Sequence, residues 1–139
     1  MKKREPVRHI MTQQPFSLQS NESLSQAEKL FKKHKIRHLP VVKGKKIVGI
    51  LSLTDLKRIS FTDAYDLNKD TLDPSVYAFF SLEQVMVSNP VTVDPSTPIL
   101  EVAELFSKSE FHSIPVVEDG ALVGIVTTTD LIRFLIDQY

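Results

Sequence analysis

Apolar residues along this chain follow two spacings, and each spacing occurs twice. Leu24, Ala27, Leu30 and Phe31, and later Ile99, Val102, Ala103 and Phe106, recur every three or four positions, which places them on one face of a helix. "HLPVV" and "SIPVV" read as strands that open near a proline. Polar turns "KGKK" and "EDGA" follow, and then second strands "IVGIL" and "LVGIV". Short extended pieces are predicted after Pro15 and Pro90, and further helices from about Thr54 and Thr129. Each half therefore reads β-α-β-β-α.

The duplication needs no gap. Asp130 lies 75 residues after Asp55, and that offset also places Met11 on Met86, Pro15 on Pro90 and Arg58 on Arg133. It likewise places Pro40-Val41-Val42 on Pro115-Val116-Val117 and Val48-Gly49-Ile50 on Val123-Gly124-Ile125. One copy has too few elements to cover its own sheet. The expected fold is α/β (α+β), with two pseudo-symmetric repeats packed as one module. Residues 1–60 are expected to form repeat one with its N-terminal segment, 61–81 a connection, and 82–139 repeat two. Tyr65, Tyr77, Phe79 and Phe80 are expected to lie on the module and order the connection.

Composition narrows the chemistry. With no cysteine in 139 residues, disulfide frameworks, cysteine–zinc sites and thiol nucleophiles are excluded. "MKKREPVRHIM" lacks an apolar stretch after its basic start, and no apolar run approaches the roughly 18 residues of a membrane span. A cytoplasmic protein is expected. The net charge is zero, yet residues 1–59 hold 14 Lys/Arg against 4 Asp/Glu, and residues 60–139 hold 3 against 13. Either these are two solvated surfaces of opposite sign, or one half attracts anions and the halves attract each other.

The strand Leu39-Pro40-Val41-Val42, its counterpart Ile114-Pro115-Val116-Val117, and the endings "GILSLTD" (49–55) and "GIVTTTD" (124–130) carry a family resemblance. With the upstream "IM-T-x-x-P" and "VM-V-x-x-P" elements, the chain resembles a tandem pair of CBS domains, a Bateman module, as a stand-alone protein. That resemblance implies a sensor binding an adenosine-containing ligand in clefts between the two copies, with no cofactor required. It implies that Asp55 and Asp130 hold a ribose with Ser52 and Thr127 assisting, and that Arg37, His38, His112 and Ser113 lie near phosphates. Thr12, Phe16 and Val91 would wall the base.

Chemistry independent of the resemblance leaves alternatives open. Ser52-x-x-Asp55 and Thr127-x-x-Asp130 also suit plain helix capping, since hydroxyl and carboxylate satisfy free backbone N–H groups. Arg37 and His38 suit phosphate by charge-assisted hydrogen bonding, or are solvated residues at a strand edge. Phe16 and Val91 suit ordinary core packing. Arg37 and His38 offer two potential cations where His112 and Ser113 offer at most one, so with the phosphate position that the resemblance implies, the Asp55 copy is expected to take the more highly phosphorylated ligand of the AMP, ADP and ATP class.

His34-x3-His38 has zinc spacing without a third ligand, and no metal is expected. Asp66-x-Asn68-x-Asp70 begins like a calcium loop, but Thr71 and Tyr77 occupy its glycine and glutamate positions. No nucleophile stands beside a base and no glycine loop cradles phosphate, so catalysis is not expected. In "TDLIRFLIDQY", Leu131, Phe134 and Leu135 are expected to form the buried stripe, leaving Ile132, Ile136 and Tyr139 either for extra packing onto the connection or the N-terminal segment or for the homodimer contact that is expected. Two other readings remain: a protein-interaction domain without ligand, and nucleic-acid binding through the basic first half.

Overall fold

The computed structural model describes residues 4–61 and 76–139. Tyr65 and the Asp66-x-Asn68-x-Asp70 stretch lie outside them. In chain order the elements are β1 (Thr12–Gln13), β2 (Leu18–Gln19), α1 (Leu24–His34), β3 (His38–Lys43), β4 (Lys46–Ser52) and α2 (Leu53–Phe61). Then follow α3 (Leu82–Val85), β5 (Val87–Ser88), α4 (Ile99–Ser107), β6 (Ser113–Glu118), β7 (Ala121–Thr127) and α5 (Thr128–Asp137). The predicted α+β order holds in both repeats, although the second copy's extended piece is reduced to a parallel bridge from Val93 to Val116.

Two packing units result. One, the first-repeat unit, comprises the described parts of Phe16–Gly44 and Val48–Asn89; the other comprises the chain up to Pro15, Lys45–Ile47 and Pro90–Tyr139. In the first-repeat unit the sheet order is β2-β3-β4-β5. Leu24, Ala27 and Phe31 of α1 meet Leu18, Leu39, Val41, Leu51, Leu56 and Leu82 in its core. Leu30 packs on that core half-buried, as the three-and-four spacing predicts. Ser23 caps α1 by accepting from the Gln26 N–H at 3.1 Å, and Lys35 ends it with a φ of 53°.

The second-repeat unit has the sheet order β1-β7-β6. Its core joins Val102 and Phe106 of α4 to Ile114, Val116 and Val126, with Val7 from the start of the chain. The β6–β7 turn has positive φ at both Asp119 and Gly120, as a tight two-residue hairpin requires.

The lead-in to each repeat packs on the other repeat's strands. Val7 N donates to Thr97 O at 2.7 Å and Ile99 N to Glu5 O at 2.8 Å, while Thr12 pairs with Ile125. Reciprocally, Val87 pairs with Ile50. The repeats as written in sequence and the units as packed therefore differ at their lead-ins.

This exchange changes the charge picture. Among the described residues the second-repeat unit carries 6 Lys/Arg and 9 Asp/Glu, and the first-repeat unit 8 and 4. The basic start of the chain offsets acidic groups of repeat two, so the contrast read along the sequence is much weaker between units. The Asp94 carboxyl is held below the usual carboxylate range by hydrogen bonds from Ser96, with Arg8 adding an attractive charge. Its contribution to stability is present above the ordinary carboxylate range and is lost as pH falls through the depressed value.

Three expectations are corrected. Tyr77 is buried in the first-repeat core, but Phe79 and Phe80 are exposed, because the short 3₁₀ turn Val76–Phe79 directs only one aromatic inward. In α5 no residue is buried: Leu131 and Phe134 are half-buried, and Leu135 is 47% exposed beside Ile132 and Ile136. Phe16 and Val91 are half exposed, not core residues, since each precedes the point where its chain enters the sheet.

Candidate functional site

Both helices that follow a second strand begin with the same reciprocal cap. Asp55 N donates to Ser52 Oγ at 3.0 Å, while Ser52 N donates to Asp55 Oδ2 at 3.3 Å. In repeat two, Asp130 N donates to Thr127 Oγ1 at 3.2 Å and Thr127 N to Asp130 Oδ2 at 2.8 Å. The capping expectation therefore holds, and it fixes each carboxylate rotamer through one oxygen. The second oxygen is oriented but differently employed. Asp55 Oδ1 lies 3.6 Å from Arg58 Nη1, a surface pair worth about 0–1 kcal/mol. Asp130 Oδ1 accepts no hydrogen bond among the described residues.

Strand direction brings an arginine and histidines to the same place. The hairpin sets the end of β4 beside the start of β3, and Leu53 N donates to the Arg37 carbonyl at 2.8 Å. Thr128 N donates to the His112 carbonyl at 3.0 Å in the equivalent position. Arg37 and His112 are exposed, His38 is half-buried, and Ser113 is buried at 6% exposure. Each unit thus offers a cap carboxylate, a cap hydroxyl and an exposed nitrogen donor, the Arg37 guanidinium or the His112 imidazole, at one end of its sheet. A carboxylate oxygen accepts from hydroxyls, and a guanidinium donates to phosphate oxygens.

The base-wall candidates divide between the units. Phe16 shares its unit with Ser52, Asp55, Arg37 and His38; Thr12 and Val91 share theirs with Thr127, Asp130, His112 and Ser113. Thr12 is exposed on β1. Phe16 stacks on His34 with ring centroids 3.6 Å apart and planes inclined by 12°. His34 was not legible as a ring partner, because 18 residues separate the two and no periodicity links them. Gln14 and Asn89, equivalent residues just before the lead-in prolines, both have positive φ, 46° and 50°. Their N–H groups donate to Val123 O and Val48 O, both at 3.1 Å, so each bend is held by the strand it lies on.

His34 closes α1 and His38 opens β3, so their spacing is not that of one helical face. Among the described residues no three His, Cys, Asp or Glu side chains group as a metal site. No described helix is long and apolar enough to cross a membrane.

A family model for the CBS domain matches residues 7–61 and again 82–137. The chain belongs to the CBS domain family. These CBS repeats are 34% identical over 129 residues to L-aspartate semialdehyde sulfurtransferase of Methanocaldococcus jannaschii, covering 91% of this chain and 22% of that protein. A CBS domain-containing protein of Dictyostelium discoideum is 30% identical over 135 residues, covering 94% of this chain and 90% of its own. The chain thus spans about a fifth of the first relative and most of the second. Among solved structures, the CBS domain pair of protein MJ0100, in complex with 5′-methylthioadenosine and S-adenosyl-L-methionine, superposes with a TM-score of 0.78. It is 30% identical, with 94% of this chain and 99% of that one covered.

Proposed function

We propose that this CBS pair is a regulatory sensor that binds an adenosine-containing nucleotide of the AMP, ADP and ATP class. The observation that carries the reading is the twice-built sheet end, where a capped carboxylate, Asp55 or Asp130, stands beside an exposed nitrogen donor, the Arg37 guanidinium or the His112 imidazole. Such an end suits a ribose and its phosphate together: the carboxylate accepts from vicinal hydroxyls while the Arg37 or His112 N–H meets the phosphate. The adenosine ligands of the MJ0100 pair support the same direction. The ligand's regulatory effect can be no larger than its affinity difference between the states it selects. Isothermal titration of the full chain with AMP, ADP, ATP and S-adenosylmethionine tests the reading. Saturable heat with at least one is expected, and flat isotherms with all four would reject it.

The acting unit in this reading is a cytoplasmic homodimer through α5. Ile132, Leu135 and Ile136 are all exposed and fall at the i, i+3, i+4 positions of one helical face, with exposed Tyr139 just past the end of the helix. A single such face meets its own copy about a two-fold axis. Ile136→Asp is expected to weaken self-association by about tenfold or more, since it buries a charge at the centre of the stripe. Sedimentation velocity across a concentration series measures this, and a wild-type chain that stays monomeric would reject the dimer.

A further inference from the structure

Among the described residues other than glycine, positive φ occurs at Gln14, Lys35, Asn89 and Asp119. Lys35 ends a helix and Asp119 turns a tight hairpin, and both places call for it. Gln14 and Asn89 stand at neither. Each precedes a proline instead, and a proline pushes the residue before it toward extended backbone, with φ about −120°. Their φ values of 46° and 50° are therefore strained, and they persist only because neighbouring contacts hold them. The two are not equally strained. Asparagine tolerates positive φ through its short, locally hydrogen-bonding side chain, and glutamine does not.

What holds Gln14 is slight. β1 is the edge strand of the second-repeat sheet, and its two paired residues, Thr12 and Gln13, are both exposed. The Gln14 N–H, donated to Val123 O at 3.1 Å, extends that pairing by one residue, and half-buried Met11 covers Gly124. Upstream the chain is far better anchored: Val7 is fully buried and its N–H donates to Thr97 O. Segments with few buried apolar contacts are the ones that open locally. We infer that residues 11–14 form a strained strap, poised to lift from β7 while Val7 stays docked, and that the counterpart at 86–89 on β4 is its locked version. Lifting returns Gln14 to negative φ and bares the β7 edge at Gly124 and Ile125, two residues before the Thr127–Asp130 cap begins. The second-repeat sheet can thus change state by itself, and no ligand is needed to observe it.

Amide hydrogen exchange of the full chain, followed by NMR, has two matched reporters, because the Gln14 and Asn89 N–H groups each donate to a strand carbonyl at 3.1 Å. After correction for intrinsic rates, Gln14 is expected to exchange about tenfold or more faster than Asn89, the ratio that the usual strain of a positive φ implies. Its exchange should ignore low urea, as a local opening does, while amides of the β6–β7 core exchange through global unfolding. Swapping the residues should swap the behaviour. Gln14→Asn should slow the amide at 14 severalfold, and Asn89→Gln should speed the amide at 89 by a similar factor. Both side chains are exposed, so neither substitution disturbs a core. Equal protection of the two amides in the wild-type chain would overturn the strap. So would exchange at Gln14 that follows urea as the core does, or swapped residues that leave both rates unchanged.

Discussion

Asp130→Ala is expected to weaken AMP binding by about 1.5–3 kcal/mol, roughly ten- to a hundredfold, the range for a hydrogen bond to a charged group. The carboxylate does two jobs with two oxygens. Oδ2 accepts from the Thr127 N–H at 2.8 Å, which fixes the side chain before any ligand arrives, and Oδ1 is left oriented for a hydroxyl. The same substitution removes half of a helix cap, worth about 1 kcal/mol of stability, so binding and folding must be measured separately. Asp130→Asn does this: its carbonyl oxygen still accepts from Thr127 N, while its amide group cannot accept from a ribose hydroxyl. It should keep the melting temperature near wild type and still lose most of the affinity. Asp55→Ala should cost less, because Asp55 Oδ1 already faces Arg58 and a ribose must compete with that charge. Full AMP affinity in both alanine variants would remove the ribose role from these carboxylates.

What could be read from the sequence was what short-range pattern controls. The α1 and α4 faces, the four long strands and the two Ser/Thr-x-x-Asp caps all depend on residues within one turn of each other, and they appear where the spacing puts them. The lead-ins depend on something else. Thr12 pairs with Ile125 and Val87 with Ile50, and a two-residue strand carries no signal of which sheet edge it will join. Charge counted along the chain therefore misrepresented the units. Leu135 failed for a related reason: α5 is apolar over much of its circumference, so periodicity alone does not say which part of it a single sheet will cover. Phe16 was placed near a base by resemblance, but its His34 backing is a tertiary contact between loop and helix end.

Gly124→Ala is expected to destabilise the second-repeat unit by about 1–3 kcal/mol, the usual cost of overfilling a packed site. A Cβ at Gly124 would stand 2.5 Å from Met11 Sδ and 3.1 Å from both Met11 Cγ and the Thr12 carbonyl oxygen. The thioether can turn away, but Thr12 is held by its pairing with Ile125, so the backbone contact cannot relax without moving β1. At Gly49 the equivalent obstruction is Met86, and its nearest atoms all belong to that flexible side chain. Gly49→Ala should therefore cost less than Gly124→Ala, although the sequence around the two glycines is nearly the same. Met11→Ala combined with Gly124→Ala should cost less than the sum of the two single changes, because truncating Met11 opens space that the new Cβ at position 124 needs. Urea denaturation of the four proteins measures that coupling, and strict additivity would show that Met11 is not seated on the glycine. The consequence reaches the site, since the strand Met11 anchors carries Thr12 and the glycine strand runs on into the Thr127–Asp130 cap. Displacing one edge of that strand should lower AMP affinity at the Asp130 end although no residue proposed to contact the nucleotide is substituted.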